Sequence, residues 1–220
     1  MINPPKIKIE TLEKEIVKSG FLGIDRRKVK FTYPDNSTAE MTIDAVLKNC
    51  NDAVAIMAHY FKNGVRYVYL RSCLRPPLAF RDFLKDSGRP ENEPEASGSI
   101  FEFPAGLVDP HEFGPAGLID AARRELHEEI GIDAPKDKIK ELGPRTFSSV
   151  GMTAERIFYF EVEVDPDTIG VPLEDGSALE RFGQIIEVPL TELVKELKAG
   201  NILDSKTQMG IMRLAEKYFV

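Results

Sequence analysis

At 220 residues, with 42% hydrophobic and 30% charged side chains, the chain can bury one sizeable core and has the composition of an ordinary globular protein. Its net charge of −7 argues against a nucleic-acid-coating role, and no apolar run approaches the length that crosses a bilayer. The opening residues Met1-Ile2-Asn3-Pro4-Pro5-Lys6 lack the apolar segment of a secretory signal, so a cytoplasmic location without a membrane partner is expected.

Residues 6–48 read as extended segments. Lys6 to Val17 and Phe21 to Tyr33 contain alternating stretches such as Lys28-Val29-Lys30-Phe31, Pro34-Asp35-Asn36-Ser37 supplies turn chemistry, and Thr38 to Leu47 alternates again. A small antiparallel sheet over residues 1–50 is therefore expected, ahead of a larger domain over 51–220. Arg26 and Arg27 belong to its solvated face. Cys50 and Cys73 are the only cysteines and lack CxxC spacing, so they are expected as reduced thiols.

Ala53 to Phe61 and Val65 to Leu70 form the next pair of strands, joined at Lys62-Asn63-Gly64, a strong hairpin signal. The apolar run Ala53-Val54-Ala55-Ile56-Met57-Ala58 predicts a strand covered on both faces, with His59 packed at its end. Arg71 and Arg75 follow, and their planar forks suit a phosphate or ribose. Asp86 to Ser99, rich in Gly, Pro, Glu and Ser, reads as an exposed loop. Phe101 to Asp109 then carries a strand into a loop at Pro104-Ala105-Gly106, where Gly106 permits close backbone approach and the Ala105 carbonyl offers an oxygen to a metal.

The next element is the most informative. In Arg124-Glu125-Leu126-His127-Glu128-Glu129-Ile130-Gly131-Ile132, helical geometry places Glu125, Glu128 and Glu129 within an arc of about 100°. Like charges so close repel, and Gly131, read as the C-cap, puts them at the helix end where the macrodipole disfavours acids. A divalent cation relieves both problems, and oxygen donors favour Mg²⁺, with Mn²⁺ as the alternative. Leu118, Ala122, Leu126 and Ile130 form the adjacent packing stripe, while Arg124 is placed to orient Glu112 or another carboxylate.

Gly106, Glu112 six residues on, and Arg124 to Ile132 together resemble the Nudix box. Eleven residues separate Glu112 from Arg124, more than the usual family spacing, so Phe113 to Gly117 reads as a lengthened turn before the helix. The resemblance implies an α/β/α sandwich with a mixed sheet, preceded by a strand domain that helps to build a homodimer. It also implies a hydrolase acting on a nucleoside diphosphate linked to another group. Pro-Ala-Gly at 104–106 resembles the ADP-ribose and nucleotide-sugar branch. By that likeness the metal ligands are Ala105, Glu112, Glu125, Glu128 and Glu129, with Glu128 and Glu129 also catalytic. The substrate contacts are Arg71, Arg75, Gly106 and Met152. The alternatives are another nucleotide substrate, such as a dinucleoside polyphosphate, or an ADP-ribose sensor that does not cleave.

Downstream, Ile139 to Phe147 and Arg156 to Val164 read as strands. Between them Ser148-Ser149-Val150-Gly151-Met152-Thr153-Ala154-Glu155 resembles the Ser-Pro-Gly stretch of ADP-ribose pyrophosphatases, with Val150 in place of the proline. Those enzymes carry a glutamate in the loop corresponding to 165–183 that contacts the attacking water, and Glu180 is the positional match, with Glu174 as the alternative. Thr191 to Lys198 and Asp204 to Phe219 close the chain as helices, with Thr191 and Asp204 as N-caps and Met212, Ala215 and Phe219 as a core stripe.

Overall fold

A computed structural model describes residues 4–79, 98–112, 114–173 and 183–219. The chain divides into two compact units, Met1–Asn51 with Phe147–Glu155, and Asp52–Thr146 with Arg156–Val220. Among the described residues no helix is long and apolar enough to cross a membrane.

The first unit is the expected meander of β1 (Lys8–Ser19), β2 (Leu22–Thr32) and β3 (Thr38–Leu47). Register is fixed across β2 and β3 by pairs such as Arg26 opposite Asp44, whose guanidinium and carboxylate meet at 2.8 and 2.7 Å. Residues 147–155 attach through the Val46 amide, which donates to the Met152 carbonyl at 2.7 Å. Much apolar surface stays uncovered, including Ile9, Ile16, Val17 and Phe21.

The second unit begins with β4 (Asp52–Lys62) and β5 (Val65–Leu74), joined by a turn in which Asn63 and Gly64 both take positive φ, as a tight hairpin requires. A short helix α1 (Pro76–Ala79) follows. In chain order then come β6 (Ser99–Glu102), β7 (Ala105–Leu107), α2 (Gly114–Ile130), β8 (Lys140–Glu141), β9 (Thr146–Phe147, of which Phe147 counts with the first unit), β10 (Arg156–Glu163), β11 (Ile185–Pro189), α3 (Leu190–Ala199) and α4 (Ser205–Phe219). The sheet order is β11-β5-β4-β10-β8, with β10 parallel to β4 and the other pairs antiparallel. This is the mixed sheet expected. On one face Ala55, Met57, Val68 and Leu70 pack under α3 and α4 through Leu190, Leu193, Ile211 and Leu214. On the other, Val54, Ile56 and Ala58 point toward α2, whose Ala121, Ala122, Leu126 and Ile130 are buried.

The sheet forks where the site lies. β5 pairs with β4 only from Val65 to Val68, and then β6 takes over its edge while β7 takes over the edge of β4. Phe103 and Pro104 bridge the fork, the Pro104 carbonyl accepting from the Ile56 amide at 2.9 Å.

Several boundaries differ from the sequence reading. Helix α2 starts at Gly114, so Pro115 to Gly117 form an extra first turn of helix instead of a lengthened loop. Proline fits there because first-turn amides need no helical acceptor. Ile139 to Phe147 is broken into two short strands, since Gly143 takes a φ of 75° and Pro144 has no amide to donate. Helix α3 has Pro189 at its N-cap position, two residues before Thr191. The buried stripe of α4 is Thr207, Gly210, Ile211 and Leu214; Met212 and Phe219 face solvent. The sequence held two stripes of helical spacing, and packing selected the branched one.

Candidate active site

Arg124 organises the site. Its five N–H groups are all engaged: Nε and Nη2 hold Glu112 at 3.1 Å each, Nη1 holds Glu125 at 2.6 Å and Glu128 at 3.2 Å, and Nη2 also reaches the Leu107 carbonyl at 3.0 Å. Lengthening the helix by a turn does not displace Glu112. A Cβ on Gly117 would stand 2.2 Å from the Glu112 carbonyl carbon, so only glycine lets the two backbones meet there. The Asp109 amide donates to Glu112 Oε2 at 2.7 Å. Burial acts to raise the Glu112 pKa, but the bonds from Arg124 and the Asp109 amide outweigh it and hold the carboxyl below its ordinary value. Burial likewise works against the Arg124 cation, and the Glu112 and Glu125 carboxylates more than reverse it.

Glu129 lies one turn beyond Glu125 on the same face of α2. Its Oε2 accepts from the Ala105 amide at 3.2 Å, so the described contact of Ala105 is through nitrogen. Gly106 lies directly over Glu125, and a Cβ there would come within 1.9 Å of the carboxylate. The Pro-Ala-Gly loop and the acidic face of α2 therefore close on each other without a side chain between them. Gly131 ends the helix with a φ of 78° and a bond from its amide to the His127 carbonyl at 3.0 Å, as a C-cap. Its own carbonyl accepts from Gly170 at 2.9 Å, and a Cβ on Gly131 would meet the Gly170 carbonyl oxygen at 2.6 Å.

Among the described residues, Arg124 bonds three carboxylates, Glu112, Glu125 and Glu128, with Glu129 alongside. An all-oxygen donor set with surplus negative charge fits a hard divalent cation. Among the described residues, Asp109, His111 and Glu112 also bring ligand atoms within 4.8 Å of one another, a second grouping that shares Glu112.

The arginines divide. Arg71 is 1% exposed, and its Nη1 donates to the Glu129 backbone carbonyl at 3.1 Å, capping α2 from beneath. A guanidinium so enclosed braces the helix that carries the glutamates. Arg75 keeps an exposed side chain and pairs bidentately with Glu102 at 2.8 Å on both oxygens. Met152 belongs to the first unit, where it is 60% exposed. Glu180, Glu174 and most of the Asp86 to Ser99 loop lie outside the described residues. Glu102 and Lys206 escaped the sequence reading altogether, since their partners lie far away along the chain.

The chain matches the NUDIX domain over residues 84–205. It is 28% identical over 206 residues to the GDP-mannose pyrophosphatase of Yersinia enterocolitica serotype O:8 / biotype 1B, covering 92% of this chain and 93% of that protein. A crystal structure of an ADP compounds hydrolase superposes with a TM-score of 0.59 at 15% identity, covering 99% of this chain and 95% of the other, a likeness of fold.

Proposed function

The chain belongs to the Nudix family, and we propose that it hydrolyses the pyrophosphate bond of a nucleoside diphosphate sugar or ADP-ribose, yielding a nucleoside monophosphate and a sugar phosphate. The observation that carries this reading is the Arg124-centred set of glutamates closed against Gly106. The substrate class is supported by the relative named a GDP-mannose pyrophosphatase.

Glu125, Glu128 and Glu129, with Glu112 and the Ala105 carbonyl in support, would hold Mg²⁺ or Mn²⁺. A divalent cation there supplies charge neutralisation of the diphosphate and a more acidic water. Arg124 keeps Glu112, Glu125 and Glu128 aimed at one place, so little reorganisation is needed when the anionic substrate arrives. Gly106, whose missing Cβ makes room for the Glu125 carboxylate, contacts the diphosphate through its backbone. Arg75 contacts the substrate's anionic part through the side of its fork turned away from Glu102. Water attacks phosphorus, the bridging P–O bond breaks, and a loop carboxylate, Glu180 by position, takes the proton. The uncovered apolar residues of β1 and β2 support a homodimer built on residues 1–50, which sedimentation analysis would register as twice the mass of the chain.

The deciding experiment is product analysis with Mg²⁺ and, separately, GDP-mannose, ADP-ribose, ADP-glucose, UDP-glucose and a diadenosine polyphosphate. Release of a nucleoside monophosphate from one or more diphosphate sugars or from ADP-ribose is the expected result. Cleavage of the dinucleotide alone would select the alternative substrate, and no cleavage together with a raised melting temperature on ADP-ribose would select the sensor.

A further inference from the structure

At the fork of the sheet, one buried carboxylate joins three elements. Glu102, the last residue of β6, is 1% exposed. Its Oε1 accepts from Arg75 Nε and its Oε2 from Arg75 Nη2, each at 2.8 Å, and Oε2 is also ion-paired to Lys206 Nζ from α4. Lys206 in turn meets Asp204 at 3.0 Å, and Asp204 caps α4 by accepting from the Thr207 amide at 2.8 Å and from the Thr207 hydroxyl at 2.7 Å. Thr207 closes the circuit, its Oγ1 accepting from the Phe103 amide at 3.2 Å. Burial works against the Glu102 carboxylate, and the bonds and charges of Arg75 and Lys206 overcome it, so the group stays ionised.

Two features separate this cluster from an ordinary structural pair. Arg75 gives Nε and Nη2 to the buried Glu102 carboxylate, yet its side chain is 41% exposed, and Nη1 has no hydrogen-bond partner among the described residues. Glu102 also lies only three residues before Ala105, whose amide holds Glu129. Resting on the hydrolase reading above, we propose that Glu102 is a positioning residue that fixes the Arg75 fork so that Nη1 is presented to the substrate diphosphate, with Lys206 as the second anchor. A carboxylate that takes Nε and Nη2 together sets both the plane and the rotation of a guanidinium, which a single bond cannot do.

The test is a double-mutant cycle on a nucleoside diphosphate sugar with Glu102→Gln, Arg75→Gln and the pair. Glu102→Gln is expected to raise KM about tenfold while kcat changes less than about threefold, and the double variant to be no worse than Arg75→Gln alone within about twofold. Losses that multiply in the double variant, or an unchanged KM in Glu102→Gln, overturn the proposal. Should Glu102→Gln fail to fold, Lys206→Gln loosens the same carboxylate from the α4 side. A KM raised about threefold then supports the proposal and an unchanged one overturns it. Wild-type protein that cleaves no diphosphate compound overturns the hydrolase reading alone. In that case calorimetric ADP binding decides, with binding weakened about tenfold in Glu102→Gln in favour and equal binding against.

Discussion

Strand β4 runs between two clusters of charged side chains that differ in one respect. Near its start, opposite β7, Arg124 faces Glu112, Glu125 and Glu128, with Glu129 beside them. Near its end, the fully buried His59 meets Glu161 at 3.4 Å. Glu161 also binds Lys217 and the Tyr218 hydroxyl, and Arg66 bonds His59 Nδ1 at 2.7 Å and Glu163 at 3.0 Å while covering the Tyr218 ring at 3.7 Å. There two acids answer two permanent cations and the cluster closes on itself. The difference teaches how to tell a brace from a site: balanced buried charge holds elements together, whereas a surplus of one sign, held rigidly, asks for a ligand of the other.

Changing Glu129 to Gln should sharpen the contrast most. Turnover is expected to fall about a thousandfold with the melting temperature nearly unchanged, as steady-state assay and thermal melting would show. Addition of EDTA should produce the same loss in the wild type, reversed by excess Mg²⁺; activity that survives the chelator would break the comparison. Next comes Gly106→Ala, whose methyl group would displace the Glu125 carboxylate from 1.9 Å. That carboxylate ends a flexible side chain, so kcat/KM is expected to drop about a hundredfold at a stability cost of about 1 kcal/mol.

At the balanced end the pattern should reverse. Glu161→Gln is expected to lose about 3 kcal/mol of stability, measured by denaturant unfolding, with unchanged turnover per folded molecule. Burial tends to raise the Glu161 pKa, but the bonds from His59 and Lys217 dominate and hold the carboxyl at about 2. A carboxylate with a depressed folded-state pKa stabilises the fold fully above its unfolded value near 4.5 and loses that contribution as pH falls toward about 2. Unfolding midpoints measured across that window should therefore fall more steeply in the wild type than in Glu161→Gln.

What could be read from the sequence was local. The glutamate spacing on α2, the Asn63-Gly64 turn, Gly131 as a C-cap and Asp204 as an N-cap each depend on residues a few positions apart, and each is present in the structure. What could not be read depends on distant partners. The bond from Arg71 to the Glu129 carbonyl joins residues 58 positions apart. Glu102 and Lys206 are 104 positions apart, and His59 and Tyr218 are 159 apart, so no window of sequence contains both members of either pair. The buried stripe on α4 depends on distant partners too, because two sets of positions satisfy helical spacing and only contact with the sheet distinguishes them.

Gly131 and Gly170 meet as bare backbone, the amide of one bonded to the carbonyl of the other at 2.9 Å. The chain after Gly170 leads in sequence toward Glu174 and Glu180, and this seam ties the helix end to the residues that precede them. Exchange of the Gly170 amide with deuterium would then act as a built-in clock, counting how often the seam opens at rest and whether a nucleotide slows it, with no label introduced.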